Sequence, residues 1–171
     1  MDISLSTLLL AIPIGYAFLW ITVPLSTLFH ELGHVLTAFF WSNDKIYVKI
    51  GMKENGRLFR VGRLQFNISL STNYFGSCTY KGDGVFRMQK IIIALSGPIV
   101  SLLLAIAFYI GLTKVPEMLW PKFFLMVATY VNAKIFITTL FPRKRKMGKL
   151  PNQVWKSDGY MALSWWNEKS D

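Results

Sequence analysis

Thr22-Val23-Pro24-Leu25-Ser26-Thr27-Leu28-Phe29-His30-Glu31-Leu32-Gly33-His34-Val35-Leu36-Thr37-Ala38-Phe39-Phe40-Trp41 decides the fold, because it sets two imidazoles and a carboxylate inside an apolar run that begins near Ser4. On a helix, His30 and His34 stand one above the other on one face, so both reach one Zn²⁺. Glu31, next to His30, is placed to act as general base on water activated by the metal. On a soluble helix the same H-E-x-x-H would read as a solvated face. These flanks offer no such face, and an unliganded cluster would carry its desolvation cost without return. Ionisable groups in membrane segments mark functional sites. The chain has only two histidines, and both lie here.

The wider composition agrees. At 171 residues, 53% hydrophobic and 15% aromatic, with mean hydropathy +0.37, the chain is too apolar for a soluble domain of its size. Apolar runs at about 4–41, 91–112 and 118–141 each meet the ~20 residues that a spanning helix needs. They predict a single unit, 1–171, with an all-α membrane core of three transmembrane helices. The first run is nearly twice the ~30 Å hydrocarbon thickness at ~1.5 Å per residue. Pro13 and Pro24 are its expected kink points. A break at Pro24, with a separate helix from about Ser26, is the alternative.

Net charge is +10, and topology accounts for it. Lys45, Lys49, Lys53, Arg57, Arg60, Arg63, Lys81, Arg87 and Lys90 lie between spans one and two, while Arg143, Lys144, Arg145, Lys146, Lys149 and Lys156 follow span three. The connection between spans two and three carries only Lys114 and Lys122 beside Glu117. The positive-inside rule then predicts a multi-pass protein with its N-terminus outside and its C-terminus cytoplasmic, both basic regions facing anionic lipid of the bilayer. No nucleic-acid partner is needed to explain the charge. The expected location is a bacterial cell membrane. The N-terminus, opening with Asp2 ahead of a very long apolar run, reads as retained rather than as a cleaved signal. A lone Cys78 permits no internal disulfide and no cysteine-based zinc cluster.

From 42 to 90 the pattern changes to alternation and predicts a small cytoplasmic, membrane-associated β-sheet. Lys45–Ile50 reads as a strand, Glu54-Asn55-Gly56 as a hairpin turn, and the chain from Arg57 as further strand. There Leu64, Phe66, Ile68 and Leu70 point one way, and Arg63, Gln65, Asn67 and Ser69 the other. Tyr74–Tyr80 adds a short strand, and Lys81-Gly82-Asp83-Gly84 turns the chain into span two. The hairpin from Lys45 to Leu70 is a candidate for holding an unwound substrate by strand addition, with Gln65 and Asn67 as candidate contacts. A cytoplasmic C-terminal segment, 142–171, completes the chain, with no repeat and no room for an appended soluble domain.

Catalytic zinc usually takes three protein ligands and leaves a position for water. Asp2 and Glu117 fall on the wrong side in this topology, Asp44 sits at a helix end and Glu54 in a turn. Asp83 and Asp158 remain. Asp83, between two glycines, is more simply a turn former; Asp158 precedes an apolar stretch, Met161–Trp166, that can return the chain to the membrane. A helix N-cap or a turn is the other role open to Asp158.

The constellation resembles the site-2 protease family of intramembrane zinc metalloproteases. Three elements carry the resemblance in the family's order: F-H-E-L-G-H-V-L-T-A from Phe29; Ser96-Gly97-Pro98 early in a transmembrane helix; and Leu140-Phe141-Pro142 followed by Ser157-Asp158-Gly159. The resemblance implies His30, His34 and Asp158 as zinc ligands and Glu31 as the catalytic base. The chain differs from the family pattern in having Thr139 three residues before the proline and Ser101 after Gly-Pro, where asparagines are common. It also inserts Arg143–Lys156 before Asp-Gly. Asn132, seven residues before Thr139 and on the same helix face, is a candidate to compensate, so both are candidate substrate contacts. Lys134 is explained by snorkelling to the interface or by charge near the zinc.

The function expected is hydrolysis of peptide bonds in or near transmembrane segments of membrane-protein or peptide-precursor substrates, as in regulated intramembrane proteolysis. His34, seven residues before Trp41, places the metal about 10 Å inside the cytoplasmic face. Substrate helices must unwind before attack, so Gly, Pro or polar residues should favour cleavage. A regulatory membrane partner or a prior clip is expected to trigger it. The alternative is a catalytically inactive membrane peptide-binding or immunity protein that keeps a metal site, against which Glu31 argues. A metal transporter would need ionisable groups along several spans, which these lack.

Overall fold

The computed structural model describes residues 5–51, 57–69, 76–116, 119–146 and 154–168. Its apolar runs form α1 (Leu5–Trp41), α2 (Arg87–Lys114) and α3 (Leu119–Leu140). α1 runs unbroken through Pro13 and Pro24, so the first run is one helix and not two. Among the described residues three helices, Ile12–Trp41, Arg87–Lys114 and Leu119–Leu140, are long and apolar enough to cross a membrane. At ~1.5 Å per residue the whole of α1 measures roughly 55 Å, so part of it extends beyond a ~30 Å hydrocarbon layer.

α2 packs against α1, α3 and a short fourth helix. Small residues let it do so: Ala94, Ser96, Gly97, Ser101 and Ala105 are all buried along it. On α1 the buried polar residues Thr22, Ser26, His30 and His34 recur every four residues, and therefore form one stripe on one face. That stripe meets the bundle: Ser26 is hydrogen-bonded by Asn132 of α3, His30 by Ser101 of α2, and His34 by the Ile93 carbonyl of α2. The outward faces carry exposed Leu19, Ile21, Leu25, Leu36, Leu103, Ile106 and Ile137, as expected where lipid is the solvent.

Strands β1 (Ile46–Ile50), β2 (Arg57–Val61), β3 (Leu64–Ile68) and β4 (Gly76–Thr79) form a sheet in the order β2-β3-β1-β4. β1 lies parallel to β3 and antiparallel to β4, whereas β2 and β3 are antiparallel. This corrects the expected hairpin from Lys45 to Leu70. The Asn55-Gly56 turn lies outside the described residues, but the strands it would join are not neighbours. β1 buries Ile46, Val48 and Ile50 against Val35, Ala38 and Ile93, which demands an inner position. β2 is exposed at every residue and takes the edge. The tight turn falls instead at Gly62-Arg63, where Gly62 adopts φ 57°, a conformation open to glycine.

The expected alternation of β3 holds for the described residues, with Leu64, Phe66 and Ile68 facing the core; Leu70 lies outside them. The strand expected within Tyr74–Tyr80 is β4. Arg63 ties the β2–β3 turn to the end of α1: it donates to the Ser42 carbonyl at 2.6 Å and to that of Phe39, with its guanidinium 4.0 Å from the Phe39 ring centroid. A cation there satisfies carbonyls that the helix leaves unpaired and complements its dipole. Asp83 occupies an exposed turn between Gly82 and Gly84, both at positive φ.

After α3 the chain makes a small ribbon, β5 (Lys144–Lys146) paired with β6 (Val154–Lys156), then α4 (Asp158–Trp166). Ser157 closes the ribbon's base. Its N–H donates to the Arg143 carbonyl at 3.0 Å, its hydroxyl donates to the Phe141 carbonyl at 2.7 Å, and its Oγ accepts from the Arg143 N–H at 2.9 Å. α4 is too short to span a bilayer. Ala162, with Met161 and Trp165, docks on Ile91, Ala94 and Leu95 of α2.

Candidate metal centre

His30 and His34 face the bundle from consecutive turns of α1, 4% and 6% exposed. Asp158 reaches them from 128 residues away, with Oδ2 3.1 Å from His30 Nε2 and Oδ1 3.5 Å from His34 Nε2. The two Nε2 atoms are 3.3 Å apart. Three ligand-type atoms, one from each residue, lie within 4.8 Å of one another.

The outer nitrogens explain why the inner ones converge. His34 Nδ1 lies 2.6 Å from the Ile93 carbonyl, which accepts only, so Nδ1 carries the proton and a neutral ring presents a lone pair at Nε2. His30 Nδ1 makes the equivalent contact with Ser101 Oγ at 2.9 Å. Asp158 supplies an anion: burial alone would raise its carboxyl, but hydrogen bonding with His30 and His34 outweighs it and holds the group at about 2. Two imidazole lone pairs and a carboxylate aimed at one point make a donor set that a divalent cation balances. The residues fit a metal.

Two glycines make the convergence possible. A Cβ on Gly97 would overlap the His34 imidazole, and one on Gly159 would overlap the Leu140 carbonyl oxygen. Gly97 thus admits the ring to α2, and Gly159 lets the start of α4 press on the end of α3. Ser157, not Asp158, caps α4, accepting from the Tyr160 N–H. The cap role considered for Asp158 is already taken, so its carboxylate turns to the histidines.

Glu31 is 5% exposed, and its Oε2 has no hydrogen-bond partner among the described residues. It lies over β4, where a Cβ on Gly76 would strike Oε1. Two cavities flank the group. The first, about 200 Å³, is bounded by Glu31, His34, β4 and α4. The second, about 180 Å³, is bounded by His30, Glu31, Thr27 of α1, and Ile135, Thr138 and Thr139 of α3. Beside the first, burial pushes the Cys78 thiol up to about 12 and does the same to the Tyr80 phenol.

The remaining candidates separate. Thr139 lines the second cavity. Asn132 is fully buried and directed to α1, its Nδ2 donating to Ser26 Oγ at 3.0 Å and to the Ala128 carbonyl at 2.8 Å. Its Oδ1 has no partner among the described residues. Gln65 and Asn67 sit on β3, whose two edges are filled by β1 and β2; strand addition along β3 is closed, and this corrects the expectation for that strand. Lys134 is exposed on α3, its Nζ 6.0 Å from the Tyr130 ring centroid. Sequence reasoning missed Ser101 as a partner of His30, although it singled that position out, and it missed Trp155, which lines both cavities. The four-residue spacing of Thr22, Ser26, His30 and His34 was the readable sign of a polar helix face.

Among known families, the model described as Peptidase family M50 matches residues 18–157. No curated protein and no solved structure matches the chain.

Proposed function

The chain belongs to peptidase family M50, the site-2 protease family, a family of membrane metalloproteases, and we propose that it is a zinc-dependent intramembrane endopeptidase. One observation carries this: the ligand atoms of His30, His34 and Asp158 converge beside a buried Glu31, one of whose oxygens has no partner among the described residues. The set of two histidines and one carboxylate suits Zn²⁺ with a position left open. When bound, the ion supplies a Lewis acid that polarises a carbonyl and acidifies water.

The protein's own residues do the rest. His34 and His30 are held in register by Ile93 and Ser101. Glu31 takes a proton from the attacking water and returns it to the leaving amine. α1, α2 and the sheet limit bulk water around the carboxylate. β4 is the free edge beside Glu31 among the described strands, and we assign it the strand addition first expected of the hairpin from Lys45 to Leu70: an extended peptide pairing along Gly76–Thr79 would lie across Glu31.

The substrate class is a transmembrane segment, or a peptide precursor, that unwinds locally. Basic residues flanking the spans support a cytoplasmic sheet and C-terminus, an outside N-terminus and a bacterial cell membrane as the setting. A regulatory membrane partner supplies the trigger, and nucleic acid has no role.

Glu31→Gln in full-length protein tests this. With single-span reporter helices in lipid vesicles, the variant should keep its metal by elemental analysis and lose about 10²–10⁴-fold in cleavage. Undiminished cleavage, or a wild-type protein that binds no metal, refutes the hydrolase. A peptide-binding protein without activity would bind reporters equally well with or without Glu31.

A further inference from the structure

Glu31, Gly76, Trp155 and Asp158 line both cavities. Three of them have evident work: Glu31 and Asp158 carry the chemistry, and Gly76 makes room for Glu31. Trp155 does not, yet the ribbon aims it inward. In β6 the neighbours Val154 and Lys156 are exposed while Trp155 is half-buried, as alternation along a strand requires when one face looks at the protein. The ribbon belongs to the Arg143–Lys156 stretch by which this chain departs from its family's spacing.

The cavities on its two sides differ in the side chains they offer rather than in how polar they are. The first sets an apolar and aromatic side, Ile93, Ala94, Met161 and Trp165, opposite a polar one that includes Ser77 and Lys156. In the second, Thr27 donates to the Val23 carbonyl, Thr138 to that of Lys134 and Thr139 to that of Ile135. Each hydroxyl proton is committed to its own helix, so each oxygen remains an acceptor. A cavity of about 150 Å³ takes a benzene ring; those here, at about 200 and 180 Å³, hold one side chain apiece.

We propose that Trp155 is a specificity-determining residue, the partition between two subsites that receive the side chains on either side of the scissile bond. An apolar or aromatic side chain enters the first, and a small hydroxyl-bearing one, serine or threonine, the second. A rigid aromatic body suits a partition because few rotatable bonds are lost in holding it. The assignment rests on the endopeptidase function proposed above.

The test uses full-length protein in phosphatidylcholine–phosphatidylglycerol vesicles with a library of single-span reporter peptides, weakened centrally by glycine and varied one residue at a time. Mass spectrometry locates each cut, and metal content is measured alongside. Wild type should cut one bond, flanked as described. Trp155→Ala, with metal retained, should cut several neighbouring bonds, and its kcat/KM discrimination at the flanking positions should fall by about tenfold. Trp155→Phe should lie between them, and it carries the test by the same criteria if the alanine variant loses metal or fails to fold. An unchanged bond with an unchanged preference in the metal-bearing variant overturns the partition while leaving the protease intact. A metal-loaded wild type that cuts no reporter overturns the protease, and the partition with it.

Discussion

The two sides of the metal group are built on opposite plans. On the α2 side close contacts fix the histidines: Gly97 lies against His34, Ser101 holds His30, and the Ile93 carbonyl holds His34. On the α3 side a cavity lined by threonines separates the helices, and the described polar tie across the gap is Asn132 to Ser26, one turn away from His30. A metal needs fixed ligands, whereas a substrate needs space and accessible polar groups. The contacts around Gly97 and Ser101 suit the first need, and the threonine-lined cavity the second.

Substitutions on the two walls should therefore fail differently. The largest effect is expected from Gly97→Ala, whose new methyl displaces the His34 ring: elemental analysis should find metal binding abolished, and full occupancy would show that the wall yields. Next comes Ser101→Ala, which leaves His30 Nδ1 without its partner. Metal affinity should drop about 10- to 100-fold, measured by competition with a chelator, and Ser101→Thr should restore part of it.

Across the gap, Thr139→Val keeps the shape and removes an acceptor. Metal affinity should stay within a factor of two of wild type, while kcat/KM on serine-bearing reporters falls by about 5- to 15-fold, the equivalent of about 1–1.5 kcal/mol for one hydrogen bond. Loss of metal in this variant would erase the distinction between the walls. The smallest effect concerns Cys78. With its thiol pushed up to about 12, chiefly by burial, it stays protonated across neutral and mildly alkaline pH. At pH 8 iodoacetamide should leave the native protein almost unlabelled and modify it on denaturation. Rapid native labelling would mean that Cys78 is open to solvent despite its burial.

The halves of the molecule were unequally legible from sequence. Hydropathy alone located all three long helices, because lipid imposes a length and an apolar content that few other structures need. His30, Glu31 and His34 were legible because their spacing is a property of one helix. Asp158 required closure of a chain 128 residues long, and it was reached by elimination and resemblance, not by any local pattern. The sheet was misread at its connections: alternation marks strands and faces but carries nothing about partners, and β1 has β3 and β4, not β2, on its two edges. Trp155 was invisible for a related reason, since a ribbon beyond the last span has meaning only once α4 has docked on α2.

Ser157 fastens the two ends of the ribbon to each other and to the last turn of α3, so the excursion between Arg143 and Ser157 is a cassette on a fixed mount. Outside Trp155, its strand residues can change without moving the carboxylate that follows. A metallopeptidase of this design can acquire new tastes by changing the two strands held there, and an engineer can work at that position for the same reason.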